Sequence, residues 1–420
     1  MPPALSHAID AIWRIESAQV IATLARMVRD VGLAEDLAQE ALVAALTQWP
    51  DEGVPDKPGA WLTAVGKRRA VDMIRRNKLM ADKQHLLAED DISEEPELKD
   101  RDDVEDDLLR LIFVACHPLL SREARIALSL RLLGGLTTDE IARAFLVPEP
   151  TIAQRIVRAK RTLSDAGVAF EVPRGQARAE RLPSVLEVIY LIFNEGYAAT
   201  AGDDWMRPQL CQEAMRLGRI LAHRMPDDAQ VNGEVHGLVA LMELQASRFP
   251  ARTGRDGEPI LLLEQNRARW DHVLIRHGLA ALTKAEAMSQ AGIYTLQAAI
   301  AACHARASTA EQTDWIRIAA LYAALGQVMP SPVVELNRAV AVGKAFGPQS
   351  GLDIVDALMD DASLKHYHLL PAVRGDLLEE LGRRDEARAE FERAAALTHN
   401  NRERELMLKR ARAISTGGEF

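Results

Sequence analysis

The chain has 420 residues, a formal net charge of −10, 48% hydrophobic residues and 5% aromatic ones, a composition that favours helices over sheets. Its length accommodates two to four domains, or one domain with a repeat array. No apolar run approaches the roughly 20 residues a membrane span needs, the N-terminus MPPALSHAID has no basic region followed by an apolar core, and Cys116, Cys211 and Cys303 are too scattered for a disulfide framework or a zinc site.

A cytoplasmic protein without metal or cofactor is therefore expected. Residues 1–80 read as helices. Leu33–Leu46 (LAEDLAQEALVAAL) carries no breaker, and Trp61–Lys78 (WLTAVGKRRAVDMIRRNK) is helical again. Between them, Trp49–Gly59 (WPDEGVPDKPG) reads as a loop, because Pro, Gly and Asp dominate it. Residues 81–107 are dense in Asp and Glu and poor in apolar groups, and such a run cannot offset its ordering entropy by burial. It reads as an acidic linker. Residues 108–172 are apolar and helical. Residues 173–420 are amphipathic helices separated by Pro or Gly, with a loose repeat. Gly375, Ala387, Phe391 and Ala394 fall at the small and aromatic positions of a tetratricopeptide unit, and Trp315–Leu325 with Val333–Val342 reads as an earlier, degenerate pair. Leu182–His277 reads as helical but fits the repeat poorly. The expected fold class is all-α: two small helical domains joined by an acidic linker, then a TPR-like helical array.

Thr137 and Glu140 have capping-box spacing, which starts a helix carrying Ile141, Ala142 and Phe145 on its buried side. Pro148 and Pro150 stop it, and Pro150 suits the first turn of the next helix. There Ile152, Ile156, Ala159 and Leu163 recur at core spacing. Thr151, Gln154, Arg155 and Arg158 share another face, with Lys160 and Arg161 flanking. That layout fits a helix-turn-helix whose second helix meets base edges first and phosphates later. It also fits a solvated basic face on an ordinary surface helix.

The same two readings apply to Trp61–Lys78. It holds Lys67, Arg68, Arg69, Arg75, Arg76 and Lys78 against the single acid Asp72, which stands four residues from Arg68 and from Arg76, the spacing of helical ion pairs. Upstream, Asp36, Gln39, Glu40 and Val43 share one face, either plain surface or a protein-docking stripe. The Cys–His neighbours Cys116–His117 and Cys303–His304 point different ways on a helix and make poor shared ligands. Asn194 and Glu195 of FNEGY read as helix-end or helix–helix contacts, and no phosphate loop or nucleophile motif is present.

Taken in order, these pieces resemble a bacterial sigma factor of the extracytoplasmic-function group. GLAEDLAQEALVAAL resembles the polymerase-binding segment, WLTAVGKRRAVDMIRRNK the helix that reads and opens the −10 element, and EIARAFLVPEPTIAQRIVRAKRTL the helix-turn-helix that reads the −35 element. Arg68 stands where the family often has Asn, and two prolines enter the helix-turn-helix turn. YLIFNEGYAAT (Tyr190–Thr200) and SPVVELNRAVAV (Ser331–Val342) resemble stretches of a subgroup with a tetratricopeptide-like extension.

The resemblance implies that residues 1–80 are sigma region 2, 81–107 the linker, 108–172 sigma region 4 and 173–420 a regulatory domain. Core RNA polymerase and promoter DNA are the implied partners, with a protein or peptide regulator at the C-terminal helices and no membrane. Asp36, Leu37, Gln39 and Glu40 would dock on polymerase. Trp61, Lys67, Arg68, Arg69, Asp72, Arg75 and Arg76 would serve the −10 element, and the Trp49–Gly59 loop would capture a flipped base. Thr151, Gln154, Arg155, Arg158, Lys160 and Arg161 would serve the −35 element. The polyanionic linker would mimic RNA in a basic channel or shield the DNA-binding helices. The competing reading is an ordinary helix-turn-helix regulator with a helical sensor domain, which needs no polymerase-docking segment; no enzymatic activity is expected.

Overall fold

Helix α1 (Pro3–Val28) ends at Arg29, whose φ of 56° turns the chain sharply. Asp30 then caps α2 (Val31–Glu52), its Oδ1 accepting the Leu33 N–H at 2.8 Å. These elements are seen in a computed structural model that describes residues 3–84, 101–145, 147–198, 206–225, 229–254, 258–288 and 291–416. The chain divides into two units, Met1–Val188 and Ile189–Phe420.

In the first unit, α1 packs against α2, α3 (Pro58–Gln84) and α4 (Arg101–Ala115). Their core holds Ile21, Leu24, Trp49 and Leu62, all nearly sealed from solvent. A Cβ on Gly66 would lie 2.8 Å from Leu24 Cδ1, so α3 approaches α1 as closely as only glycine permits. Helices α5 (Arg122–Leu132), α6 (Thr138–Phe145) and α7 (Glu149–Asp165) form a second cluster in which α7 rests on both others. Helix α8 (Gly175–Tyr197) contributes to both units. Within the first, its Arg181 and Ser184 donate to the Phe113 and Cys116 carbonyls, each at 2.7 Å, and satisfy the end of α4.

Two boundaries differ from the expectations. Trp49–Glu52 belongs to α2, because burying Trp49 extends the helix past Pro50 until Gly53, at φ 85°, ends it. The acid-rich segment is helical at both edges, α3 continuing to Gln84 and α4 beginning at Arg101; residues 85–100 of the expected linker lie outside the described residues. Its last carboxylate, Asp107, is fully buried. It accepts Arg26 Nε at 2.9 Å and pairs with Arg110. Burial pushes its carboxyl above the ordinary value, against the pull of both guanidinium groups.

The second unit continues through α9 (Pro208–Arg224), α10 (Ala229–Ala246), α11 (His272–Met288), α12 (Ile293–Arg306), α13 (Trp315–Val328), α14 (Pro332–Phe346), α15 (Pro348–Ala357), α16 (Leu369–Glu380), α17 (Arg384–Leu397) and α18 (Asn401–Thr416). From α12 onward each helix packs on the next. A Cβ on Gly375 of α16 would fall 2.9 Å from Phe391 Cε1, and Ala387, Phe391 and Ala394 of α17 are fully buried, so the expected small-against-aromatic contact forms. The stretch between α10 and α11 departs from the helical expectation. Short 3₁₀ turns and one bridge, Thr253 to Pro259, occupy it. Arg267 staples it, donating to the His304 and Ala307 carbonyls at 2.6 and 2.8 Å and to Thr313 Oγ1 at 3.0 Å.

Candidate DNA and polymerase interface

On α2, period 3.6 divides the chain into a buried stripe, Val31, Ala34, Ala38, Ala41 and Ala45, and an open face bearing Asp36, Glu40 and Val43, with Gln39 at its edge. Leu37 falls on the buried side, 5% exposed, and anchors the helix from within. Helix α3 lies beside this face. Arg69 Nη1 stands 2.5 Å from Glu40 Oε2 and Trp61 packs edge-on against Trp49. Arg68, Asp72, Arg75 and Arg76 are exposed, Lys67 partly so. Arg76 Nε donates to the Asp72 carbonyl at 3.3 Å. The expected Asp72 ion pairs with Arg68 and Arg76 are not formed, and among the described residues no carboxylate pairs with Arg68, Arg75 or Arg76.

The second face is on α7. Thr137 and Glu140 form the expected reciprocal box: the Thr137 N–H donates to Glu140 Oε2 at 2.9 Å, and the Glu140 N–H to Thr137 Oγ1 at 3.1 Å. Pro148 caps α7 and Pro150 occupies its first turn. Ile152, Ile156, Ala159 and Leu163 are buried, as their spacing requires. Gln154, Arg158 and Arg161 point to solvent, while Thr151 and Arg155 are half-buried. Arg161 is drawn to Asp165 at 3.3 Å.

Lys160 behaves differently. Its amine is 2.5 Å from Glu35 Oε2 on α2, and Arg131 Nε of α5 holds Glu35 Oε1 at 2.6 Å. Sequence reasoning missed Glu35. The available signal was its place in the Val31–Ala34–Ala38 stripe, where a carboxylate must find a partner.

Family models match residues 13–79 as Sigma-70 region 2, residues 110–163 as Sigma-70 region 4, and residues 181–286 as a family of unknown function, DUF6596. The chain is a sigma factor of the extracytoplasmic-function type.

This sigma factor is 45% identical over 387 residues to an uncharacterized protein of Rhizobium meliloti, covering 91% of the chain and 90% of that protein, and belongs to one family with it. It is 28% identical over 173 residues to the probable ECF RNA polymerase sigma factor SigI of Mycobacterium tuberculosis, covering 40% of the chain and 59% of SigI. No solved structure matches. The sigma factor directs promoter-specific initiation with core RNA polymerase and is not an enzyme. Among the described residues no helix is long and apolar enough to cross a membrane.

The sigma factor's DUF6596 match contains the FNEGY stretch. Asn194 is exposed, whereas Glu195 is buried and pairs with Arg207 at the start of α9. Tyr197 lies against two guanidinium groups, Arg252 at 3.7 Å and Arg248 at 5.5 Å from its ring centroid. These contacts fix the α8–α9 corner, which agrees with the structural reading of that motif.

Proposed function

We propose that the open face of α2, Asp36, Gln39, Glu40 and Val43, docks on core polymerase while Leu37 supports it from the core. Helix α3 grips the promoter near −10 through Lys67, Arg68, Arg75 and Arg76. The turn from Gly53 to Lys57 lies beside Trp61 and offers a place for an unstacked base. Helix α7 reads the −35 duplex through Thr151, Gln154, Arg155 and Arg158. The C-terminal unit is a TPR-like array whose surface takes a protein or peptide that regulates the factor.

One observation carries the DNA assignment. Arg68, Arg75, Arg76 and Arg158 are exposed and, among the described residues, none has a carboxylate partner, although acids outnumber bases in the chain. Phosphate is the counter-ion such faces lack.

In vitro transcription with purified core polymerase and a genomic promoter library tests it. Replacing Arg75 and Arg76, or Arg155 and Arg158, with Ala should abolish or redirect start-site selection. Replacing Asp36 and Gln39 should weaken co-purification with core polymerase. Unaltered start sites in both arginine variants would refute the DNA assignment. Truncation near residue 180 should change transcript yield, and an unchanged, still regulated yield would remove the regulatory role of the C-terminal unit.

A further inference from the structure

In the first unit the −35 helix assigned above lies directly on the docking helix. Lys160 Nζ of α7 stands 2.5 Å from Glu35 Oε2 and 3.9 Å from Asp36 Oδ1 on α2. Arg131 takes the other Glu35 oxygen at 2.6 Å, and the Glu35 side chain is only 4% exposed. Nearby, Ser164 Oγ donates to Asp30 Oδ2 at 2.7 Å, and Arg14 of α1 pairs with Glu140 of α6. A cleft of about 600 Å³ runs beside the contact, lined in part by Arg29, Asp30, Leu163, Ser164 and Phe170. Charge and hydrogen bonds therefore hold the end of α7 on the start of α2.

This arrangement is too short for the promoter. Helices α3 and α7 both pack on α2. Packed helix axes lie about 8–10 Å apart, which puts α3 within about 20 Å of α7. The −10 and −35 elements are separated by about 25 base pairs, or about 85 Å of duplex at 3.4 Å per base pair. One straight duplex cannot meet both faces while Lys160 rests on Glu35.

We infer that Glu35 is the latch of a closed form of the free factor. It ties the −35 helix to the docking helix through Lys160, and polymerase and promoter engage a form in which that tie is broken. Asp36 couples the two events. A cationic group of the polymerase docking on Asp36 arrives within reach of the Lys160 amine, weakens its hold by like-charge repulsion, and frees Lys160 to exchange Glu35 for a DNA phosphate. The inference rests on the residue assignments proposed above.

A reversible lock tests it. Asp30→Cys with Ser164→Cys places thiols at the two hydrogen-bonded groups, and the native Cys116, Cys211 and Cys303 are buried. Core-dependent transcription from a promoter carrying both elements is compared before and after reduction. The oxidised protein should lose about tenfold or more of its activity and regain it on reduction. Equal activity of a fully oxidised sample would overturn the latch.

A distance measurement decides the matter even if no crosslink forms. Spin labels at exposed Gln48 on α2 and Thr162 on α7 should report one narrow separation in the free factor, about 30 Å, because α7 sits at the Asp30 end of α2 and Gln48 lies 18 residues along at about 1.5 Å per residue. That separation should lengthen in the holoenzyme, and in the free Glu35→Gln variant. A separation unchanged by polymerase sinks the latch. Loss of −35 dependence in Arg158→Ala, alongside equal activity of locked and reduced forms, would retain the −35 assignment and remove only the latch.

Discussion

Trp49 and Trp61 meet edge to face, their ring centroids 5.3 Å apart at an interplanar angle of 62°. The pair closes the corner between α2 and α3. Trp49 is 2% exposed, so Trp49→Ala should cost about 3–5 kcal/mol of stability. Trp61 is half-buried, and Trp61→Phe keeps most of the contact while removing the indole. If Trp61 also touches DNA, that variant should melt like the wild type yet open promoters more slowly. Thermal denaturation and a permanganate footprint of the open complex separate the two effects.

Ionic contacts on α3 and α7 should appear as salt dependence. Arg75→Ala and Arg76→Ala should each reduce the slope of log affinity against log salt by about 0.9 for every phosphate the arginine neutralises. Arg158→Ala should instead relax preference at one −35 position, by about 1–3 kcal/mol if its contact is to a base. Holoenzyme binding to a promoter fragment across a salt series distinguishes them. An unchanged slope in both α3 variants would count against that face as the phosphate-binding one.

His304 makes the second unit acid-sensitive. It is 8% exposed and its ring lies 5.2 Å from that of Trp315. Burial, with Arg248 and Arg267 nearby, lowers its pKa from 6.5 to about 3. A depressed folded-state pKa means the unfolded chain binds the proton first. The stability this contributes is complete above about pH 6.5 and is lost progressively as pH falls toward 3. Between pH 6.5 and 5 the loss should be about 2 kcal/mol, at 1.36 kcal/mol per unit. Denaturant titration of the wild type and His304→Phe at both pH values should show this loss in the former and not, from this group, in the latter.

Gly375 tests the close approach of α16 and α17. A methyl there meets the Phe391 ring at 2.9–3.1 Å, so Gly375→Ala should destabilise this pair by about 1–3 kcal/mol. The paired variant Gly375→Ala with Phe391→Leu should recover part of that loss in a denaturation series.

The parts of this molecule legible in its sequence are those that repeat a local rule. The Thr137–Glu140 box and the Ile152–Ile156–Ala159–Leu163 stripe need only neighbours three and four residues away, and both form as read. The helices of the Gly375–Phe391 pair were legible for the same reason. What escaped depends on distant partners. Asp107 looks like the other acids of its run until Arg26 arrives from α1, and Glu35, although its place in the buried stripe was readable, finds its partners Arg131 and Lys160 only far along the chain. Charge density marked residues 81–107 as one solvated run, but it cannot say which single carboxylate turns inward. Pro50 read as a breaker because the burial of Trp49, which holds the helix past it, is a tertiary fact. Asp72 was at ion-pair spacing, yet Arg76 bonds its carbonyl and leaves the exposed carboxylate aside.

From α12 to α18 each helix rests on its successor in the chain. Few residues separate the surfaces that must meet, so the loops closed during folding are short and their entropic cost is small. A nascent chain leaving the ribosome can add these helices one at a time, each seating on the helix made just before it. The last third of this factor can thus mature vectorially, while the Glu35 contact, joining residues about a hundred positions apart, must wait until α5 and α7 have emerged.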